Sequence, residues 1–381
     1  MENYGNGPST GLDQTAAGKI ETGFVPGDVT VSPSDAAVLR RLAGRVAEIA
    51  ASPEMAEKRE LWTRLNMLDP VRPLVFCDPE NGWNEIITGN NMECQGKLAR
   101  RWEMDLRKEI FWGEEMGDDK PVEPFFDVPY TTAPDEWGVQ VVFHHTDSVS
   151  NGSYVWDHPI KDYDRDLKKL HSPPIVIDWE TTQGCLETAR DLFGDLLTVR
   201  LKGTWWWSLG LTWAAASLRG MQNIFLDMYD HPAELKELLS IISRGWLDKL
   251  DYLEANSLLS LNNDGTYVGS GGWGFTRELP RRDFDGQVRA GDMWGFADSQ
   301  ETVSVSPQAY EEFVFPYEQP VLERFGLNCY GCCEPLDSRI DIVKRFPRLR
   351  RISLSPWADR AFMAETLGDR YILSMKPNPS E

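Results

Sequence analysis

Three of the chain's six cysteines fall within five positions, Cys329, Cys332 and Cys333 in GLNCYGCCEPLD, and Glu334 and Pro335 follow at once. Cysteine thiolates are good zinc ligands, and a structural zinc takes four nitrogen or sulfur ligands, usually from two paired motifs. Cys329 and Cys332 have CxxC spacing, but Cys77, Cys94 and Cys185 are scattered and supply no second pair. A thioredoxin-type redox motif needs its thiols at a helix N-terminus, where the pKa falls; here a carboxylate and a proline follow. A catalytic zinc needs only three protein ligands. Cys332 and Cys333, with Glu334 or a carboxylate from another strand end such as Asp264 or Glu301, reach that number. The bland reading is a strand end that packs thiols as small apolar groups.

Other residues carry chemistry of their own. LNNDGTYVGSGGWG puts Asn263 and Asp264 before a glycine-rich loop that lacks the Lys-Ser/Thr of a phosphate-binding loop, so Asp264 is either an acid/base group or part of an Asn-Asp-Gly turn. DMWGFADSQETVSVSP carries Asp298, Gln300 and Glu301 ahead of Ser306-Pro307, a helix start in which Ser caps and Pro fits the first turn. These acids read either as solvated loop or as members of the cysteines' site. Trp205, Trp206 and Trp207 in TWWW form an aromatic wall at a strand end or interior packing. Asp264, Glu301 and Glu334 are the acid/base candidates. Trp205 to Trp207, Asn263, Gln300, Tyr330 and Lys376 are the substrate-binding ones.

The elements that must position these residues alternate. Short apolar or β-branched runs recur in RPLVFCDP, VPYTTAPDEWGVQVVF, PPIVIDWE, LLTVRLKGTWWW, LLSLNNDG, LNCYGCCE, LRRISLSPW and RYILSMKPNP. Helical patterns lie between many of them, notably His231 to Asn256 and Pro307 to Phe325, and a helix is expected from Ser34 to about Asn66. Strand–helix alternation at this frequency predicts parallel βαβ units and a (β/α)8 TIM barrel, whose catalytic groups stand where strands end. The expected organisation is a loose arm over 1–33, then one barrel domain over 34–381 with an N-terminal helical extension and an antiparallel insertion around 80–160.

The formal net charge of −21 repels phosphate backbones and anionic lipid, which argues against nucleic-acid and membrane-surface partners. No run approaches the roughly 18–20 apolar residues of a membrane span, and no secretory signal pattern opens the chain. A cytoplasmic protein with reduced cysteines is expected.

The strand-end pattern resembles the uroporphyrinogen decarboxylase superfamily, in particular its methyltransferase-like branch that works with corrinoid proteins. The resemblance runs from about Trp62 to the end and is carried by WTRLNMLDPVRPLVF, GTWWWSLGLTWAAASLRG, SPQAYEEFVFPYEQPVLERFGLNCYGCCEPLD, LRRISLSPWAD and RYILSMKPNPS. It implies a (β/α)8 barrel and transfer of a methyl group between a small methylated compound and a corrinoid on a partner protein. The decarboxylases carry an arginine-rich motif after the first strand; FCDPENGWNE has no arginine there, which disfavours porphyrinogen chemistry. The family's zinc methyltransferases carry His-x-Cys-Gly on a middle strand and a further cysteine on a later one. Cys332 matches the first cysteine, Tyr330 replaces the histidine, and SMKPNP, with Lys376, has no later cysteine. Zinc would then rest on Cys332, Cys333 and Glu334. A metal-free decarboxylase or lyase acting on a non-tetrapyrrole acid, and a non-catalytic binding barrel, are the alternatives. Counted against the family, SMKPNP is the seventh strand and the eighth has no counterpart before Glu381. That predicts a longer gene product, closure by the N-terminal half, or pairing of two chains as a homodimer.

Overall fold

The computed structural model describes residues 28–133, 137–145, 154–378 and 380. Most of the expected arm, residues 1–27, lies outside the described residues. From Ser32 onward local signals dominate. The Ser32 hydroxyl accepts the Asp35 N–H (3.1 Å), and Pro33 opens a helix over Pro33–Ala50 at a position whose N–H has no partner to lose. The single helix expected from Ser34 to Asn66 is in fact two, because Ser52-Pro53 repeats the same start signal and opens a second helix over Pro53–Asn66. Leu39, Leu42, Val46 and Ile49 of the first helix are buried, and the helix packs against that over Lys97–Phe111.

Among the described residues eight strands follow in chain order: β1 (Phe125–Val128), β2 (Val142–His145), β3 (Tyr154–Asp157), β4 (Thr198–Leu201), β5 (Trp294–Ala297), β6 (Leu327–Tyr330), β7 (Leu349–Leu354) and β8 (Ile372–Met375). β5, β6, β7 and β8 form one parallel sheet in sequence order, and β1 pairs in parallel with β4. Helices such as Pro232–Ala255, Pro307–Phe313 and Arg360–Leu367 lie between these strands in the chain, so the fold is mixed α/β. β2 and β3 pair antiparallel. Among the described residues no helix is long and apolar enough to cross a membrane.

Two runs read as strands are extended but build no ladder; side chains satisfy their backbone instead. The Val75 and Cys77 N–H groups donate to the carboxylates of Asp119 (2.7 Å) and Asp118 (2.9 Å). In LLSLNND, Ser260 Oγ accepts the Gly203 N–H (3.0 Å) on one side. On the other, the Asn262 amide accepts from the Trp294 N–H (2.9 Å) and donates to the Trp294 carbonyl (3.0 Å). This segment thereby links the end of β4 to the start of β5. Among the described residues PPIVIDWE makes one isolated antiparallel bridge, Ile177 to Thr132.

The parallel sheet sorts its side chains by strand alternation. Trp294, Phe296, Leu327 and Cys329 gather with Val268 and Leu279 on one face. Tyr330, Ile352 and Leu354 pack with Leu322, Phe325 and Phe346 on the other, against helices. Asn66, at the end of the second helix, is fully buried. Its amide nitrogen donates to the carbonyls of Trp273 and Phe275 (both 2.7 Å) and its oxygen accepts from Arg351 on β7 (2.6 Å).

Candidate active site at the strand ends

Because β5 to β8 run parallel, the residues just beyond them share one side of the sheet: Asp298 after β5, Cys332 to Glu334 after β6, Ser355 after β7 and Lys376 after β8. The chain leaves β6 through Gly331 at φ +88°, where an added Cβ would lie 2.6 Å from Leu336 and 3.1 Å from Ser353. The turn that follows is fastened at every polar atom of its backbone that matters. The Gly331 N–H donates to the Ala297 carbonyl (2.9 Å), and the Gly331 carbonyl accepts from Ser270 Oγ (2.6 Å). Glu334 accepts the N–H groups of Cys332 and Ser299, both at 2.9 Å, and so ties the end of β6 to the end of β5. Ser353 Oγ donates to the Cys332 carbonyl (2.5 Å), Ser355 Oγ to the Cys333 carbonyl (2.7 Å), and Lys376 Nζ donates to Ser353 Oγ (2.5 Å). The Cys332 and Cys333 sulfurs lie 3.5 Å apart.

The electrostatics here are those of acids without enough counter-charge. Asp298 is 6 % exposed; burial, and then the nearby Glu334, push its carboxyl up to about 8, although the Ser208 hydroxyl donates to it. Asp298 is therefore a neutral acid near pH 7. Burial also raises Glu301, whose Oε2 accepts the Thr212 hydroxyl (2.6 Å) and which hydrogen-bonds Gln300. The Cys333 thiol falls to about 7, through the hydrogen bond from Cys332 and, against the cost of burial, the charge of Lys376; the Cys332 thiol rises as the donor of that pair. Burial lowers Lys376, opposed by the two thiols and Glu334.

The sequence-predicted residues divide. Glu301, Gln300, Cys332, Cys333, Glu334 and Lys376 come together at these strand ends. Asp264 stands in another cluster, bonded to Arg200 (2.8 Å), Lys202 (3.2 Å) and Thr266, and paired through Arg200 and Lys202 with Asp127. Burial works to raise its pKa, but Lys202 and Arg200 outweigh that and hold it below the usual carboxylate range, which makes it a poor base. The Asn263 amide holds the loop by donating to the Leu279 carbonyl (2.7 Å). Of the three tryptophans, Trp205 is buried with its N–H on the Leu258 carbonyl (2.9 Å), and Trp206 packs edge-on against Phe325 on the helix side. Only Trp207, 45 % exposed, presents a face: it stacks on Tyr267 (centroids 5.2 Å, planes 3° apart), and Phe76 and Trp273 extend the aromatic group. Tyr330 is not at the strand ends' open side. It sits one residue out of phase with Cys329, fully buried against Phe346, and its hydroxyl donates to Glu318 (2.7 Å) and meets that of Tyr310 (2.7 Å). Asp298, which the sequence offers as loop or site but not among the acid/base candidates, is the acid most raised here; its signal is WGFAD, an apolar run whose first polar residue is this acid.

Of the ligands expected for zinc, the two thiols lie 3.5 Å apart, a spacing that suits one tetrahedral ion, and each Glu334 carboxylate oxygen also accepts one backbone N–H. Among the described residues no three His, Cys, Asp or Glu side chains converge as a metal-holding group. The chain matches no protein-family model, and no curated protein matches it.

Proposed function

We propose that the chain is an enzyme that moves a methyl group from a small methylated compound to a corrinoid cofactor carried by a partner protein, with Asp298 as the acid. The observation that carries this reading is a neutral, buried carboxyl held beside a thiol pair and a lysine where parallel strands end. Breaking a methyl–oxygen or methyl–nitrogen bond leaves an electron pair on the heteroatom, and a positioned acid that is still protonated near pH 7 can donate to it as the bond breaks. The corrinoid, when its carrier docks, supplies the acceptor for the methyl group. Lys376 and the Cys333 thiolate set the charge around the departing atom, and Trp207 with Tyr267 offers the flat apolar surface for the substrate's body.

The architecture that fits this reading is the uroporphyrinogen decarboxylase-like (β/α)8 barrel. Its eight positions would be the extended run 72–77, β1, β4, the run 258–264, and β5 to β8. Support comes from the side-chain bonds that link 258–264 to both neighbours and from Asn66, just before the first run, reaching Arg351 on β7. In that order SMKPNP takes the eighth position.

Methylated amines, ethers and phenolic methyl ethers are to be incubated with reduced corrinoid protein and the purified chain, and methylation of the corrinoid followed by its absorbance. Transfer that is lost in Asp298→Asn supports the proposal. Carbon dioxide release from an added carboxylic acid, with no methyl transfer from any donor, supports the decarboxylase alternative, in which Lys376 would bind the substrate's carboxylate.

A further inference from the structure

We propose that Cys332 and Cys333 form a site of reversible two-electron oxidation, at which a hydroperoxide closes a disulfide between these adjacent residues. The sulfurs are already in contact at 3.5 Å, and the backbone that carries them is held by Ser353, Ser355 and Glu334. Reagent can reach them. Cys333 is exposed and Cys332 half-buried, whereas Cys94, Cys185 and Cys329 are buried. Cys329 has the more familiar CxxC spacing to Cys332, but it is 0 % exposed in the inner apolar cluster and burial pushes its thiol up to about 12. Lys376 stands beside the pair: its Nζ donates to Ser353 Oγ, which holds the Cys332 carbonyl.

The chemistry balances. Cys333 sulfur attacks one oxygen of the peroxide, the O–O bond breaks, and an alcohol, or water from hydrogen peroxide, leaves. The resulting Cys333 sulfenic acid is attacked by Cys332 sulfur; the S–O bond breaks and water departs with the Cys332 proton. Two thiols lose two electrons and two hydrogens, and the peroxide gains them. Adjacent Cα atoms stand about 3.8 Å apart across a trans peptide, shorter than the roughly 4.4–6.8 Å usual for disulfides, so the bond is strained and dithiols reduce it readily.

The inference does not depend on methyl transfer, and its readout is mass. Full-length protein carrying Cys77→Ser, which removes the other exposed thiol, is treated with hydrogen peroxide at a few equivalents. The expected product is a monomer lighter by two hydrogens, restored by dithiothreitol, with the loss confined to the peptide that holds residues 325–339. Cys332→Ser stops at a sulfenic acid that dimedone traps, Cys333→Ser loses the early reaction, and Cys329→Ser still loses two hydrogens. A disulfide that vanishes in Cys329→Ser would assign the bond to Cys329 and Cys332 and overturn the proposal, as would oxidation to sulfinic or sulfonic acid without any disulfide. A measurement free of cysteine substitutions at the pair uses phenylarsine oxide, which clamps two neighbouring thiols: one equivalent should bind and block the loss of two hydrogens, and failure to bind counts against the pair.

Discussion

Asp264 and Asp298 both follow an apolar run that ends at a polar loop, yet the two carboxylates live under opposite electrostatics. Asp264 shares Arg200 and Lys202 with Asp127, and the balance of charge keeps it ionised. Asp298 has Glu334 and Glu301 for near neighbours and only a serine hydroxyl as a direct partner, and it holds its proton. The same residue type at the same kind of position thus does structural work on the β1–β4 side and is left with chemical potential on the β5–β8 side. The cations that make the difference stand on β4 and just after it, more than sixty residues upstream of Asp264.

The largest effect should come from Asp298→Asn, which keeps the shape and removes the proton donor. Turnover in the corrinoid assay is expected to fall about 10²–10⁴-fold while the melting temperature near pH 7 holds or rises, because the folded parent must take up a proton there and asparagine need not. Asp264→Asn is the mirror experiment. It leaves Arg200 and Lys202 with Asp127 alone and should cost about 1–3 kcal/mol in urea unfolding; equal activity losses in the two variants would erase the contrast. The pH dependence of stability separates them further. Asp298 has a raised folded pKa, so the folded chain binds the extra proton; its contribution is present below about pH 4 and is lost as pH rises towards about 8. Asp264 has a lowered one, so its contribution is present above pH 4 and lost as pH falls further. Melting curves from pH 5 to 8.5 should therefore decline less steeply in Asp298→Asn than in the parent, with Glu301 and Glu318 sustaining part of the slope; an unchanged slope would mean that Asp298 is ionised throughout. The smallest effect belongs to Tyr330→Phe. It removes the buried hydroxyl that bridges Tyr310 and Glu318, at about 1–3 kcal/mol, and should leave substrate affinity untouched, whereas Trp207→Ala should weaken affinity and leave stability alone.

Much of the parallel framework was legible in the sequence. LNCY, LRRISL and ILSM carry apolar runs with clear polar ends, and Ser-Pro pairs mark helix starts at 32–33, 52–53 and 306–307. What escaped was set by partners far along the chain. The run 258–264 looks like a strand in composition, yet its bonds to β4 and β5 pass through Ser260 and Asn262 side chains. Ser34 to Asn66 was read as one helix because its apolar spacing was followed past Ser52-Pro53, which was the stronger signal. Tyr330 enters the site reading because it stands at the histidine position of the resembled motif, although a residue next to Cys329 on a strand must face the other way. Asp298 and Asp264 could not be ranked without knowing where Arg200 and Lys202 would fall.

Asn66 bears on how the chain is made. Its amide is satisfied by residues 207, 209 and 285 positions later. At roughly 5–20 residues per second of synthesis, that places its last partner about 15–60 s behind it. The second helix can form early, since its Ser52 cap and Pro53 start are local, but the Asn66 amide nitrogen waits for residues 273–275 and its oxygen for Arg351. The nascent chain therefore carries a finished helix with an unfinished address, and docking waits until β7 has left the ribosome. Any fragment that stops short of Arg351 keeps that helix end open, and chaperones and proteases would meet the chain there first.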